Sequence, residues 1–145
     1  MVSDHHIRPA VPMDTEELCR LNREFNGEDT ANADVIRKQL LNTGPEHCLV
    51  CEYDGMLCGF ICGICFSSWC YRAPVAQITE LYVQPSARRK GIGRALVNSM
   101  VDHLRNLGTN EIVLLTGEDN FPARALYGRC GFESADECCY QMIFE

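Results

Sequence analysis

Residues 76–107 constrain this chain more than any other stretch. They read AQITELYVQPSARRKGIGRALVNSMVDHLRNL: an apolar strand, a bend marked by Pro85, a basic glycine turn and a helix. In the turn, Arg88-Arg89-Lys90-Gly91-Ile92-Gly93 sets a run of cations beside two residues that lack a Cβ. Beyond it, Ile92, Leu96, Val97, Met100, Val101, Leu104 and Leu107 recur at helical spacing and make one apolar face. A helix opens with unpaired backbone N–H groups and the positive end of its dipole. Glycines there let an anion approach the backbone closely, and phosphate is the common guest. The stretch predicts a strand–turn–helix unit that holds a pyrophosphate.

Spacing separates the phosphate-binding patterns. A P-loop needs G-x-x-x-x-G-K-[ST], which is absent, and a dinucleotide fingerprint needs a third glycine or alanine where Leu96 stands. What fits is R-x-x-G-x-G from Arg88 to Gly93, directly after a strand that ends Glu80-Leu81-Tyr82-Val83.

Composition bounds the rest. The 145 residues are 46% hydrophobic and 23% charged, which predicts one globular domain over 1–145 with a substantial core. No apolar run approaches the ~20 residues of a membrane-spanning helix, and the opening MVSDHHIRPA lacks a secretion-signal pattern. The expectation is a soluble, cytoplasmic protein with no membrane partner. A formal net charge of −7 argues against a nucleic-acid partner and singles out the Arg88-Arg89-Lys90 cluster as a specific site. The acidic remainder suits a cationic ligand.

The ten cysteines include Cys48-Leu-Val-Cys51 and Cys62-Gly-Ile-Cys65, the spacing of a zinc site. Both lie in apolar runs that read as strands, where residues three apart point to opposite faces and cannot share an ion. No metal is expected. Without a secretion signal, disulfides are disfavoured and most of these thiols are expected to be small buried hydrophobes.

In chain order, a short strand from His6 ends at Pro9 and Pro12. Asp14 or Thr15 caps a helix bearing Leu18, Leu21 and Phe25, with Glu17 placed for a capping box. After Asn26-Gly27-Glu28-Asp29, a second helix starts near Ala33 and carries Val35, Ile36, Leu40 and Leu41. Asp54-Gly55 predicts a type I′ hairpin between two apolar strands and would set Cys51 opposite Cys58. A loop with Trp69, Tyr71 and Arg72 leads to the central strand near Val75. After the long helix come a strand over 111–116, a short helix over 120–130 and a final strand over 138–144. The order is β-α-α-β-β-β-α-β-α-β-β.

That order, the R-x-x-G-x-G turn and a second segment together resemble the GNAT family of N-acetyltransferases. The second segment runs Asn120-Phe-Pro-Ala123-Arg-Ala-Leu126-Tyr127-Gly-Arg-Cys-Gly131-Phe132 and is similar to the family's N-x-x-A-x-x-L-Y-x-x-x-G-F pattern. The resemblance covers nearly the whole chain and implies an α/β single-domain acyl-CoA N-acyltransferase fold, a mixed central sheet flanked by helices. It implies acetyl-CoA as co-substrate, with direct attack of an amine on the thioester. Backbone groups of Leu81, Tyr82 and Val83 would hold the pantetheine arm. Arg88, Arg89, Lys90, Gly91, Ile92, Gly93 and Arg94 would take the pyrophosphate, and Asn120, Ala123 and Tyr127 would line the other side.

The resemblance also assigns roles. Glu80, a carboxylate in a strand expected to be buried, becomes the candidate general base, since burial raises its pKa. Its alternative is a structural carboxylate. Tyr127 becomes the candidate acid for the leaving thiolate, its alternative a packed aromatic. Glu24, Glu28 and Asp29 would border the acceptor pocket, and Trp69 and Tyr71 would cover its entrance. The expected acceptor is a small-molecule primary amine. The alternatives are a protein N-terminal or lysine acceptor, or a CoA-binding regulatory module without transfer activity. A homodimer is left open.

Overall fold

A computed structural model describes residues 4–42 and 44–145. Its elements are β1 (His5–Pro9), α1 (Thr15–Asn26), α2 (Ala33–Leu41), β2 (Glu46–Tyr53), β3 (Met56–Phe66), β4 (Val75–Val83), α3 (Ile92–Asn106), β5 (Ile112–Leu114) and α4 (Phe121–Arg129). The strands form one sheet in the order β1-β2-β3-β4-β5. Every neighbouring pair is antiparallel except β4 and β5, which are parallel. The crossover between those two is the long helix α3, as a parallel connection requires.

Alternation along the strands divides the core between two faces. On one face, Leu49, Cys51, Ile61, Ala76 and Ile78 pack beneath Ile92, Leu96, Val97, Met100 and Leu104 of α3. On the other, Val50, Leu57, Phe60 and Tyr82 meet Leu18 and Leu21 of α1, with Ile36 and Leu40 of α2 at the margin. The expected apolar stripe of α3 is therefore its buried face; only Leu107, past the last turn, is 43% exposed. Helix α2 is looser, with Val35 and Leu41 facing solvent.

The α3 face depends on a close approach at β3. A Cβ on Gly59 would stand 2.7 Å from the Tyr82 carbonyl oxygen, a backbone atom that cannot move aside. Glycine here is what lets β3 and β4 lie together under the helix.

The Asp54-Gly55 hairpin forms as expected, with φ of 54° and 76° at its two central residues and Tyr53 paired to Met56. Its register differs one step further on. A bulge makes Cys58 an extra residue, so Cys51 lies opposite Gly59 and not opposite Cys58. The Cys58 thiol still donates to the Cys51 carbonyl at 3.5 Å. All ten cysteines are free thiols. Cys48 and Cys62 face α1 and α2 while Cys51 and Cys65 face α3, so each C-x-x-C pair is split across the sheet as strand geometry demands.

Several expectations need correction. Asp14 sits at the N-cap of α1, but its carboxylate accepts from Arg8 and from the Val11 N–H, making no cap bond to the helix. Glu17 likewise reaches the Leu57 N–H instead of closing a capping box. The expected strand over 111–116 shrinks to Ile112–Leu114. The expected final strand over 138–144 is absent: those residues are exposed and form no ladder. Among the described residues the sheet thus has five strands where the sequence order predicts seven.

Candidate active site

The glycine turn joins the end of β4 to the start of α3 through a short 3-10 turn at Pro85–Ala87. Two residues in it have left-handed backbone, Arg89 at φ 62° and Gly91 at φ 79°. Gly91 is the N-cap of α3 and no side chain caps the helix. Its first N–H groups are therefore directed at whatever occupies the turn. Gly91 is required by its own dihedral. Gly93 is not: its φ is helical, and an added Cβ would meet Leu126 Cδ2 at 3.4 Å, an ordinary contact. A glycine that the chain's own packing does not demand fits a turn that must leave its backbone open to a guest.

The cations of the turn are not equally placed. Arg88 turns back, donating from Nε to the Val83 carbonyl at 2.9 Å with its guanidinium 5.9 Å from the Tyr82 ring centroid. Lys90 donates to the Ser86 carbonyl at 3.4 Å and lies 4.6 Å from the Tyr53 ring centroid. Arg89 and Arg94 are exposed at the mouth of the turn. Arg88 therefore braces the turn and occupies one backbone acceptor of the Leu81-Tyr82-Val83 edge.

Beside the turn the sheet opens. Strand β5 pairs with β4 only from Ala76 to Ile78 and ends at Leu114, whereas β4 continues to Val83. Over Thr79–Val83 that side of β4 has no ladder partner among the described residues. The result is an open edge of β4, a slot that starts next to the glycine turn, with Leu126 and Tyr127 of α4 packed against the same core as Leu81 and Val83. An extended chain fits such an edge by adding main-chain hydrogen bonds.

A second bulge shapes the slot. Cys62 pairs with Glu80 and Gly63 with Ile78, so Thr79 is an extra residue in β4. Its hydroxyl donates to the Cys62 carbonyl at 3.3 Å. Bulges re-aim the side chains next to them, and here the neighbour is Glu80. Contrary to expectation, Glu80 is not buried: the divergence of β5 leaves it exposed. Partial desolvation still raises its pKa from the ordinary carboxylate value, and the nearby Glu46 carboxylate pushes it the same way. Glu46 carries no signal of its own in the sequence. It lies on a different strand, and only the register across β2, β3 and β4 brings it to the site. Cys48 and Cys62 are paired in that register, and Cys62 with Glu80.

Across the slot, Tyr127 is half-buried on α4 with its ring 6.1 Å from that of Phe132, edge to face. Burial raises its pKa, with Cys130 and then Glu80 adding to the effect, so the phenol keeps its proton at neutral pH. Asn120 serves the fold directly. Its side-chain oxygen accepts from the Ala123 N–H at 3.2 Å and caps α4. Ala123 is thereby fixed on the first turn of the helix that walls the slot.

The expected acceptor residues separate into two groups. Glu24 accepts from the Tyr82 hydroxyl at 3.1 Å and pairs with Arg20 at 3.1 Å. Glu28 lies 4.0 Å from Arg23. Both line a cleft of about 420 Å³ next to α1, together with Arg20 and Arg23, so the carboxylates are largely matched by cations. Asp29 is exposed outside that cleft. Trp69, 98% exposed, and Tyr71 precede the opposite end of β4. At a rise of ~3.3 Å per residue, the seven steps from Val75 to Tyr82 amount to about 23 Å. Trp69 and Tyr71 do not form one wall with Glu24 and Glu28. A periodic sequence reading cannot tell which end of a sheet a loop serves.

Comparison with known proteins agrees with this geometry. Residues 15–132 match the family model described as Acetyltransferase (GNAT) family. An uncharacterized N-acetyltransferase of Methanocaldococcus jannaschii is 33% identical over 100 residues, covering 68% of this chain and 44% of that one. The matched region thus spans less than half of that curated relative. Among solved structures, an aminoglycoside N-acetyltransferase in complex with CoA superposes with a TM-score of 0.83 at 19% identity, covering 99% of this chain and 97% of the other. A ribosomal-protein-alanine N-acetyltransferase from Brucella melitensis biovar Abortus 2308 gives 0.81 at 21% identity, covering 97% and 99%. With a strand that diverges beside a bulged neighbour, an uncapped glycine turn at the head of the crossover helix and a family match over most of its length, the chain belongs to the GNAT acetyltransferase family.

Proposed function

We propose that this protein is an N-acetyltransferase that moves the acetyl group of acetyl-CoA directly to the primary amine of a small cationic molecule. The observation that carries this reading is the slot itself, open along Thr79–Val83 between Glu80 on one side and Tyr127 on the other. Its head is the uncapped start of α3, where Gly91, Ile92 and Gly93 would present N–H groups to the pyrophosphate, with Arg89 and Arg94 completing the charge. The free edge of β4 would hold the pantetheine arm as an added strand.

In this reading Glu80 accepts a proton from the incoming ammonium, leaving the nitrogen lone pair free for attack. The C–N bond forms at the thioester carbonyl and the C–S bond breaks. Tyr127 donates its proton to the departing sulfur and recovers one from the nitrogen through solvent. The products are an N-acetyl amide, free CoA thiol and one released proton. Glu46 and Glu80 also supply a reason for the cation to bind. Neither takes part in an ion pair among the described residues, and their mutual repulsion is relieved when an ammonium approaches.

The likeness to an aminoglycoside acetyltransferase supports a small-molecule acceptor, and the likeness to a ribosomal-protein-alanine acetyltransferase supports a polypeptide one. The two unpaired carboxylates favour the former. An acetyl-CoA turnover screen over small amines, polyamines, aminoglycosides and basic peptides, with CoA release followed chromatographically, decides between them. Turnover on small cationic amines is expected. Turnover on peptides alone would make this a protein acetyltransferase, and CoA binding without release of thiol under any condition would make it a regulatory module.

A further inference from the structure

The sheet register sets one pair of thiols face to face. Cys48 on β2 stands directly opposite Cys62 on β3. The Cys48 carbonyl accepts from the Ala10 N–H on the β1 side at 3.0 Å. The Cys62 carbonyl accepts from the Thr79 hydroxyl on the β4 side at 3.3 Å. Both residues thus turn their backbone groups away from one another and form a non-hydrogen-bonded pair. In such pairs the Cα atoms lie about 4.5 Å apart and the side chains are the closest of the ladder, inside the ~4.4–6.8 Å that a disulfide spans. Their Cβ atoms, about 4.5–5.5 Å apart, need to draw in by about 1 Å to reach the ~3.5–4.5 Å of a disulfide.

The pair lies on the face that carries Glu80. Cys62 is paired with Glu80 across β4, and Glu46 stands two residues before Cys48 on β2, hence on the same face. The Cys62 thiol is held above its ordinary pKa, first by its hydrogen bond with Cys48, then by burial, with Cys48, Glu46 and Glu80 adding to the effect. The two sulfurs are therefore in contact, and both carboxylates are within electrostatic reach. Both cysteines are half-buried, at the margin of the cluster that Ile36 and Leu40 of α2 also border, and α2 has no buried residue to seal it. Cys51 and Cys58 differ: they are 0% and 2% exposed in the α3 core, and the Cys51 thiol is pushed up to about 12, chiefly by burial.

We propose that Cys48 and Cys62 are a thiol–disulfide exchange site for low-molecular-weight disulfides of the glutathione class, set into the sheet beside Glu80. One cysteine sulfur attacks the small disulfide, and its proton goes to the thiol that leaves. The second cysteine sulfur then displaces the other half in the same way, closing a Cys48–Cys62 bond. Two electrons and two protons pass from the pair to the small molecule, which departs as two thiols. Excess thiol reverses both steps. Because the thiolate is the attacking species, exchange should quicken as pH rises. Closure moves Cys62 by part of the ~1 Å set by the two geometries and shifts Glu80 beside it. A misplacement of about 1 Å costs up to ~10²-fold in rate, so the closed pair should slow amine acetylation. That consequence rests on the proposed activity, whereas the exchange itself does not.

The test uses a chain carrying Cys70→Ser, Cys138→Ser and Cys139→Ser, which removes the exposed thiols. After incubation with oxidised glutathione, intact mass should fall by two hydrogens with no glutathione retained. Fragment sequencing of unreduced peptides should then find Cys48 joined to Cys62. Turnover of a small cationic amine should drop by ~10–10²-fold and return with dithiothreitol. Adding Cys48→Ser, or separately Cys62→Ser, should abolish the internal bond. A glutathione adduct that persists on either cysteine without that bond would overturn the proposal, as would two thiols that stay unmodified in excess reagent. A Cys48–Cys62 bond that leaves kcat unchanged would overturn the coupling to Glu80. A chain that acetylates no amine would instead sink the proposed activity, and the mapping would still decide the exchange. Should the serine-substituted chain fail to fold, the same mapping on the unaltered chain assigns the bond.

Discussion

Glu80 and Tyr127 carry the pH behaviour expected of the site. Glu80 must be deprotonated to act as base, and its pKa is raised above the ordinary carboxylate value, first by desolvation and then by Glu46. Activity should therefore rise with pH through an acidic limb displaced upward from the usual carboxylate range. Glu80→Gln should remove that limb and lower kcat, whereas Glu46→Gln should keep the limb and move it down, because a like charge has gone. A pH profile of kcat/KM over the three proteins checks this; an unmoved limb in both variants would assign it to another group. Tyr127 is held protonated by burial. Tyr127→Phe keeps the ring against Phe132 and removes the proton, so kcat should fall by ~10²–10⁴, the usual range for acid–base catalysis. CoA affinity measured by calorimetry should stay unchanged. Wild-type turnover in that variant would reduce the residue to packing.

At the scale of elements, the glycine turn allows a cleaner test at one position than at the other. Gly91→Val forces a β-branched residue into φ 79° and should cost stability as well as binding. Gly93→Val avoids that dihedral, so it should weaken CoA binding while the melting temperature holds. Unaltered CoA affinity in Gly93→Val would move the phosphate site away from α3. The same contrast shows what could be read from sequence. The apolar stripe of α3, the Asp54-Gly55 hairpin and the R-x-x-G-x-G turn are local patterns, and each forms where its residues predict. The bulges at Cys58 and Thr79 have no local signature, because both strands keep their apolar runs through them. Without the Thr79 bulge, Glu80 cannot be placed relative to Cys62, Cys48 or Glu46. The short span of β5 escaped for a related reason: Leu115 continues the apolar run of β5 yet lies 68% exposed once pairing with β4 has ended. Pairing, not composition, sets where a strand stops.

Across the whole molecule, one side chain links the first strand to the first helix and adds to the ladder that β1 makes with β2. Arg8 on β1 reaches Asp14 with two hydrogen bonds of 2.8 Å, and reaches Glu52 on β2 at 2.7 and 3.0 Å. Asp14 is 6% exposed and also accepts from the Val11 N–H at 2.8 Å. Its pKa is lowered by the hydrogen bonds from Arg8, which outweigh desolvation. A carboxyl whose folded pKa is depressed contributes stability that is fully present above its unfolded value, near ~3.9. That contribution is lost as pH falls through the folded pKa. Acid should therefore loosen the β1–α1 corner below about pH 4, before any change is visible in α3. Asp14→Asn keeps the shape and removes the charge. Going by the ~1.5–3 kcal/mol of a hydrogen bond to a charged group, it should lower unfolding free energy by about that amount at pH 7. It should also flatten the acid limb of stability against pH, since the titrating group is gone. Denaturant unfolding of both proteins between about pH 3 and pH 7, a window set around the carboxylate range, measures the two effects together. Equal slopes in that window would show that the corner is held by packing around Leu18 and Leu21 and not by the Arg8 network.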